Sequence, residues 1–208
     1  MTSPGTFYSD GLHLYDKNWN LTPVHKFHER LVFGHIVNHR EPKGTRFVLD
    51  AVHKARMSGA DFGFIFAERL PHSIALNLYK HIDVLLEQFV IGWYGLQACE
   101  FALMGKPSVV YIRTSDGPPL IPDDLWRDIP FIRSTGDTLH ETIIDICNMS
   151  HDILYDIGKR SIAFVEKYHS HIAATQQVIH DLLVPPKPDN ISREDYEEAI
   201  HEHLPSEP

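Results

Sequence analysis

Apolar and polar positions follow one another along this chain in blocks of changing period, and the changes mark out its elements. Leu31 to Val37 (LVFGHIV) is a short apolar run of strand length, and it breaks at NHREPKG, where Pro42 and Gly44 demand a loop. In the next block, TRFVLDAVHKARMSG, Val48, Ala51, Val52 and Ala55 stand at i, i+3, i+4 and i+7. That spacing is one face of an amphipathic helix, which Gly59 closes. Phe62 to Ala67 (FGFIFA) again has strand character. Pro71 opens a helix as a proline at its first position does, with Ile74, Ala75, Leu78 and Tyr79 lining one face. Ile82 to Ile112 then runs through a strand, a turn bounded by Gly92 and Gly95, an apolar helix (LQACEFALM), a Gly-Lys-Pro stop and another strand.

A Pro-rich loop follows (TSDGPPLIPDD), and IPFIR supplies the last short strand. From Asp137 the period is helical: Leu139, Ile143, Ile146, Ile153 and Ile157 recur, and Phe164, Val165, Tyr168 and Ile172 extend the pattern towards Leu183. Breaks fall near Met149 and Ser170. The prolines of VPPKPDN end the folded part, because consecutive prolines cannot continue a helix. The expected organisation is a lead-in over residues 1–28, one domain over 29–184 and a flexible acidic tail over 185–208. Strand and helix alternate, and the strands are short and fully apolar. This predicts an α/β domain with a parallel sheet covered on both faces. Such sheets bind ligands at the carboxyl ends of their strands, the edge where NHREPKG and the GWYG turn both fall.

Composition narrows the function classes. The 208 residues are 43% hydrophobic, enough for one domain with a sizeable core, and no internal repeat is evident. No apolar run approaches the ~20 residues of a membrane span, and MTSPGTFYSD lacks the basic, apolar pattern of a signal peptide. Cys99 and Cys147 read as two buried thiols of a reducing, cytoplasmic setting. A formal charge of −9 argues against a broad nucleic-acid surface, so any anionic ligand must be held locally by a few cations and backbone N–H groups. The 15 histidines read as ordinary ones: His169 with His171, and His201 with His203, lack the i, i+4 spacing of a helical metal pair. Asp123-Asp124 reads as a solvated acidic turn, and no metal site is expected.

A few residues could carry chemistry. Gly95 begins the helix LQACEFALM, where a glycine lets a phosphate approach the free N–H groups; equally, it serves a tight strand-to-helix turn. Glu100 lies inside that apolar helix, and a buried carboxylate needs partners. It either faces a cleft and accepts two hydroxyl donors, as from a ribose diol, or forms an ion pair with a distant arginine or lysine. Arg40 and Lys43 could clamp a diphosphate, or form a solvated basic turn. Glu68 and Glu87 are possible acid/base residues, but each is a single carboxylate beside a strand end, and no Ser/His/Asp arrangement or carboxylate pair can be assembled.

Together these pieces resemble the C-terminal, donor-binding domain of a GT-B glycosyltransferase, most similar to the retaining family 4 (glycosyl transferases group 1) proteins. The family carries a Lys-Gly after its first strand and a loop-helix reading roughly E-G-F-G-x-x-x-x-E-A-x-x-x-G-x-P. Here the first is Lys43-Gly44; the second is Gly92-Trp93-Tyr94-Gly95 followed by Glu100, Gly105 and Pro107. IGKRSIAFVEKYHS resembles the family's closing helices, and the likeness covers residues 31–184. It implies a Rossmann-like domain, one half of a GT-B fold, that binds a nucleotide diphosphate-sugar of UDP or GDP type and needs no other cofactor. Glu100 would hold the ribose hydroxyls and Lys43 the diphosphate, with Gly95 and Leu96 amides cradling phosphate. Asn38, Arg40, Gly44, Gly92 and Tyr94 would complete the contacts. The family's first motif Glu falls at Gly92, and its Arg before the lysine falls at Asn38, with Arg40 a near substitute. A complete GT-B enzyme has two such domains, so this chain reads as an excised domain, a subunit that borrows its acceptor half from a protein partner, or a remnant that only binds nucleotide. The alternative to a transferase half is a non-catalytic nucleotide-binding subunit, and a sugar-nucleotide epimerase of the same fold ranks below both.

Overall fold

A computed structural model describes residues 26–113 and 123–176. Most of the expected lead-in, the Pro-rich loop over 114–122 and the acidic tail lie outside the described residues. The described part up to His171 belongs to one compact unit.

Within that unit the strands are β1 (Val32–Val37), β2 (Gly63–Glu68), β3 (Val84–Gln88), β4 (Ser108–Val110) and β5 (Ile132–Arg133). They form one sheet in the order β2-β1-β3-β4-β5, with every pairing parallel. The helices are α1 (Arg40–Lys43), α2 (Thr45–Met57), α3 (His72–Tyr79), α4 (Leu96–Leu103), α5 (Asp123–Asp128), α6 (Leu139–Cys147) and α7 (His151–His169). The parallel α/β sheet is the one expected from the alternation of periods, and its arrangement is the Rossmann-like one that the family resemblance implies.

Side chains alternate across the pleat, so each strand feeds two apolar layers. Phe33, Val84, Leu86 and Val109 pack with Val48 and Val52 of α2 and Ile143 and Ile146 of α6. Their neighbours Ile36 and Leu85 pack with Ala75 and Tyr79 of α3 and Phe101 of α4. Helix α7 joins the layers: Leu154 belongs to the first. About three turns further on, ~15 Å along the axis, Phe164 and Val165 pack against Ala98 and Ala102 of α4. Lys106, in the Gly-Lys-Pro stop, is buried and donates to the Tyr79 and Ile82 carbonyls at 2.6 and 2.5 Å. It thereby caps carbonyls at and just beyond the end of α3, and burial lowers its pKa to about 8.

Several local expectations need correction. NHREPKG contains one helical turn, α1, which ends at Gly44 with φ 71°. A single turn shows no period in sequence. Pro71 is the residue before α3 rather than its first, with an extended ψ of 142°. Ile74 is 50% exposed, so the buried face of α3 is narrower than its apolar pattern. Asp123 and Asp124 begin α5 instead of forming a turn. Cys99 is buried, but Cys147 is only half-buried at the end of α6.

Candidate functional site at the carboxyl edge of the sheet

Two chain turns meet at the carboxyl edge, one after β1 through α1 and one after β3 leading to α4. They are joined directly, since the Phe89 amide donates to the Lys43 carbonyl at 3.2 Å. A buried histidine underlies the junction. His35 on β1 is fully buried; its Nδ1 donates to the Leu86 carbonyl at 2.7 Å. This fixes the neutral tautomer, so Nε2 accepts from the Thr45 hydroxyl at 3.0 Å. Burial lowers the His35 pKa to about 4.

An ion pair forms at this junction. The Lys43 ammonium donates to Glu87 Oε1, and the Glu87 side chain is fully sequestered whereas that of Lys43 is 23% exposed. The other carboxylate oxygen, Oε2, accepts from the Gly95 amide at 3.2 Å. The first amide ahead of α4 is therefore engaged by a carboxylate of the chain itself. Glycine at 95 is required by this approach, because a Cβ there would lie 2.8 Å from Glu87 Oε1. Gly95 is expected from sequence either to admit a phosphate or to permit a tight strand-to-helix turn; in the structure the anion beside it is Glu87.

In front of Lys43 lies a pocket of about 470 Å³, lined by Asn38, Lys43, Leu70, His72, Leu96 and Glu100 among others. This volume suits a small-molecule ligand. Glu100 is nearly buried, and its Oε1 accepts from His72 Nε2 at 2.8 Å. Its partner is thus an exposed histidine at the start of α3 rather than an arginine or lysine. A carboxylate accepts several hydrogen bonds, so one from His72 leaves capacity for a ligand's hydroxyls. Gln97 stiffens the wall: its amide donates to the Ile36 carbonyl and the Tyr79 hydroxyl at 2.8 and 3.0 Å.

The remaining predicted residues separate. Arg40 pairs with Glu68, whose pKa this contact lowers, and both line a neighbouring hollow of about 400 Å³ with Asn38 and Arg69. Arg69 has φ 54° and is the one non-glycine residue with positive φ among the described residues; its amide is pinned to the Val37 carbonyl at 2.8 Å. Gly44 lines a third hollow with Thr45 and Val90. Gly92, at φ 83°, would direct a Cβ towards Arg113 and Tyr111, so a glutamate there would be strained. Tyr94 turns away from the pocket. Its ring packs on Phe131 and Phe164, its hydroxyl lies 2.9 Å from His169 Nε2, and burial raises its pKa. The pocket thus gathers Asn38, Lys43, Leu96 and Glu100, with Gly95 immediately behind.

Sequence reasoning missed His72, one histidine among many, since nothing in its local pattern links it to Glu100. Glu87 was named as a possible acid/base residue beside a strand end, but not as the partner of Lys43 and the Gly95 amide. An acid in a strand that is apolar on both faces was a signal that it needed a cation.

Among the described residues no helix is long and apolar enough to cross a membrane. No group of three or more His, Cys, Asp or Glu residues among them could hold a metal ion.

Solved structures share this fold. Over 80% of this chain and 38% of the other, it aligns with TarM of S. aureus, solved with fondaparinux, alpha-GlcNAc-glycerol and UDP, at 15% identity and a TM-score of 0.55. Over 74% of this chain and 48% of the other, it aligns with HepE of Anabaena in complex with UDP-glucose, at 16% identity and a TM-score of 0.51. The C-terminal domain of a glycosyl transferase group 1 family protein from Francisella tularensis aligns over 67% of this chain and 86% of its own, at 14% identity, with a TM-score of 0.48. This chain spans less than half of TarM and of HepE. No protein-family model and no curated protein matches the sequence. The expected likeness to a GT-B donor-binding half holds at the level of the fold.

Proposed function

We propose that the chain is the donor-binding half of a glycosyltransferase and holds a nucleotide diphosphate-sugar in the pocket between α1, α3 and α4. The observation that carries this reading is the placement of Glu100: a nearly buried carboxylate with one histidine partner, on the wall of a pocket that Lys43 also lines. Glu100 accepts the ribose hydroxyls, Leu70 and Leu96 flank the base, and Lys43 faces the phosphates. The contribution to transfer is positional and electrostatic. In the retaining reading the acceptor, held by a second domain or a partner, attacks on the face from which the diphosphate departs. TarM and HepE, solved with UDP and UDP-glucose respectively, support the choice of donor class.

A second reading, a nucleotide-binding subunit without transferase activity, is favoured by Gly92. Its backbone is left-handed and its side-chain direction leads to Arg113, so no carboxylate reaches the sugar from that position. The discriminating experiment titrates UDP, GDP, ADP and their sugars into the folded chain, together with the 2′-deoxy diphosphates. Saturable binding that weakens ~10-fold on loss of the 2′-hydroxyl, with that sensitivity absent in Glu100→Gln, is expected. A folded sample that saturates with none of these ligands overturns the assignment. Sugar transfer or slow donor hydrolysis by the purified chain, lost in Glu100→Gln, removes the second reading.

A further inference from the structure

The ion pair behind the pocket bears on which part of a nucleotide the site can grip. Lys43 is the one lysine or arginine among the described residues that line the pocket, and an ammonium attracts phosphate as a point charge. Its charge is already met from behind by Glu87, which is wholly sequestered and touches both Lys43 and the Gly95 amide. An approaching phosphate therefore meets a cation with a carboxylate one contact further away. Coulomb energies fall only as the reciprocal of distance, so the repulsion from Glu87 cancels a large part of the attraction to Lys43. The same carboxylate occupies the amide that would otherwise offer a hydrogen bond ahead of α4. The pocket's apolar wall and Glu100 are untouched by this arrangement.

We propose that Glu87 is a specificity-determining residue that withdraws positive charge from the phosphate end of the pocket, so that recognition rests on the nucleoside. The proposal depends on the pocket being a nucleotide site and adds to that reading which end of the ligand supplies the affinity. It also assigns a reason for the glycine at 95, since any side chain there would push Glu87 off the amide. In the transferase reading, a partly neutralised Lys43 stabilises the departing diphosphate less than a free ammonium would.

The test compares each nucleoside with its diphosphate (uridine and UDP, guanosine and GDP, adenosine and ADP) by calorimetric titration of the native chain and of Glu87→Gln. Glutamine keeps the shape and can still accept from the Gly95 amide, while removing the charge. In the native chain the diphosphate of the preferred base is expected to bind within ~10-fold of its nucleoside, and in E87Q that preference rises by at least ~10-fold with nucleoside affinity unchanged. A native preference above ~10-fold, or an unchanged preference in folded E87Q, overturns the role of Glu87 while leaving the nucleotide site standing. The native comparison decides the matter even if E87Q does not fold. Saturation with no nucleoside or nucleotide overturns both the site and the role given to Glu87.

Discussion

The turns after β1 and β3 lie on one edge and treat charge in opposite ways. The first displays it: Arg40 is largely exposed and pairs with Glu68 at the surface. The second buries it: Glu87 is sealed beneath the turn and reaches a cation only by borrowing Lys43 from the first. A surface pair in high dielectric contributes little, whereas a buried carboxylate stripped of its partner is costly. The difference teaches that Lys43 belongs structurally to the second turn although it sits in the first. Its reach into the pocket is what remains after that obligation is met.

Breaking the shared pair has the largest expected effect. Lys43→Ala leaves Glu87 buried and unpaired and is expected to cost about 3–5 kcal/mol in urea denaturation. Replacing both charges, Lys43→Met with Glu87→Leu, is expected to cost less than Lys43→Ala alone. A double variant no more stable than the single one breaks the comparison. Next comes the buried tie beneath the two turns. The pKa of His35 is lowered from 6.5 to about 4, so the unfolded chain binds the additional proton between those values. Stability is present above pH 6.5 and is lost as pH falls towards 4, by about 3 kcal/mol from this residue. The acid limb of a stability-pH profile is expected to flatten in His35→Gln.

Gly95→Ala pushes a methyl against Glu87 and is expected to cost ~1–3 kcal/mol. That cost shrinks in a Glu87→Ala background, which a thermodynamic cycle of melting curves measures. Least of all, Glu100→Gln is expected to change stability by under ~1 kcal/mol, because its partner His72 is exposed and loses little. A large loss there would mean that Glu100 is structural like Glu87, and would erase the contrast between the two carboxylates.

Helices α2, α4, α6 and α7 were legible because their apolar periods persist over two turns or more, and the strands because each lies in a short apolar run bounded by turn residues. Helices α1 and α5 were not, being only four and six residues long. For the site, the sequence could place Lys43 and Glu100 near one edge, because each follows a strand in a parallel sheet. It could not pair Lys43 with Glu87, 44 residues on, or His72 with Glu100, 28 residues on. Those contacts follow from strand order and from how each turn leaves the sheet, and a local pattern holds neither. Tyr94 shows the same limit. Beside two glycines it reads as a site residue, yet the turn rotates its ring into the α4–α7 layer.

The approach of Glu87 to residue 95 also has an evolutionary consequence. Eight residues apart in sequence, the two positions share a single volume, so residue 95 cannot gain a side chain while residue 87 keeps its carboxylate in place. Among descendants of this chain, an acid at 87 is compatible with glycine at 95, and a side chain at 95 should appear only where 87 has become small or apolar. Lineages that make that double change would also free Lys43, gaining charge in the pocket through a substitution that never touches the ligand.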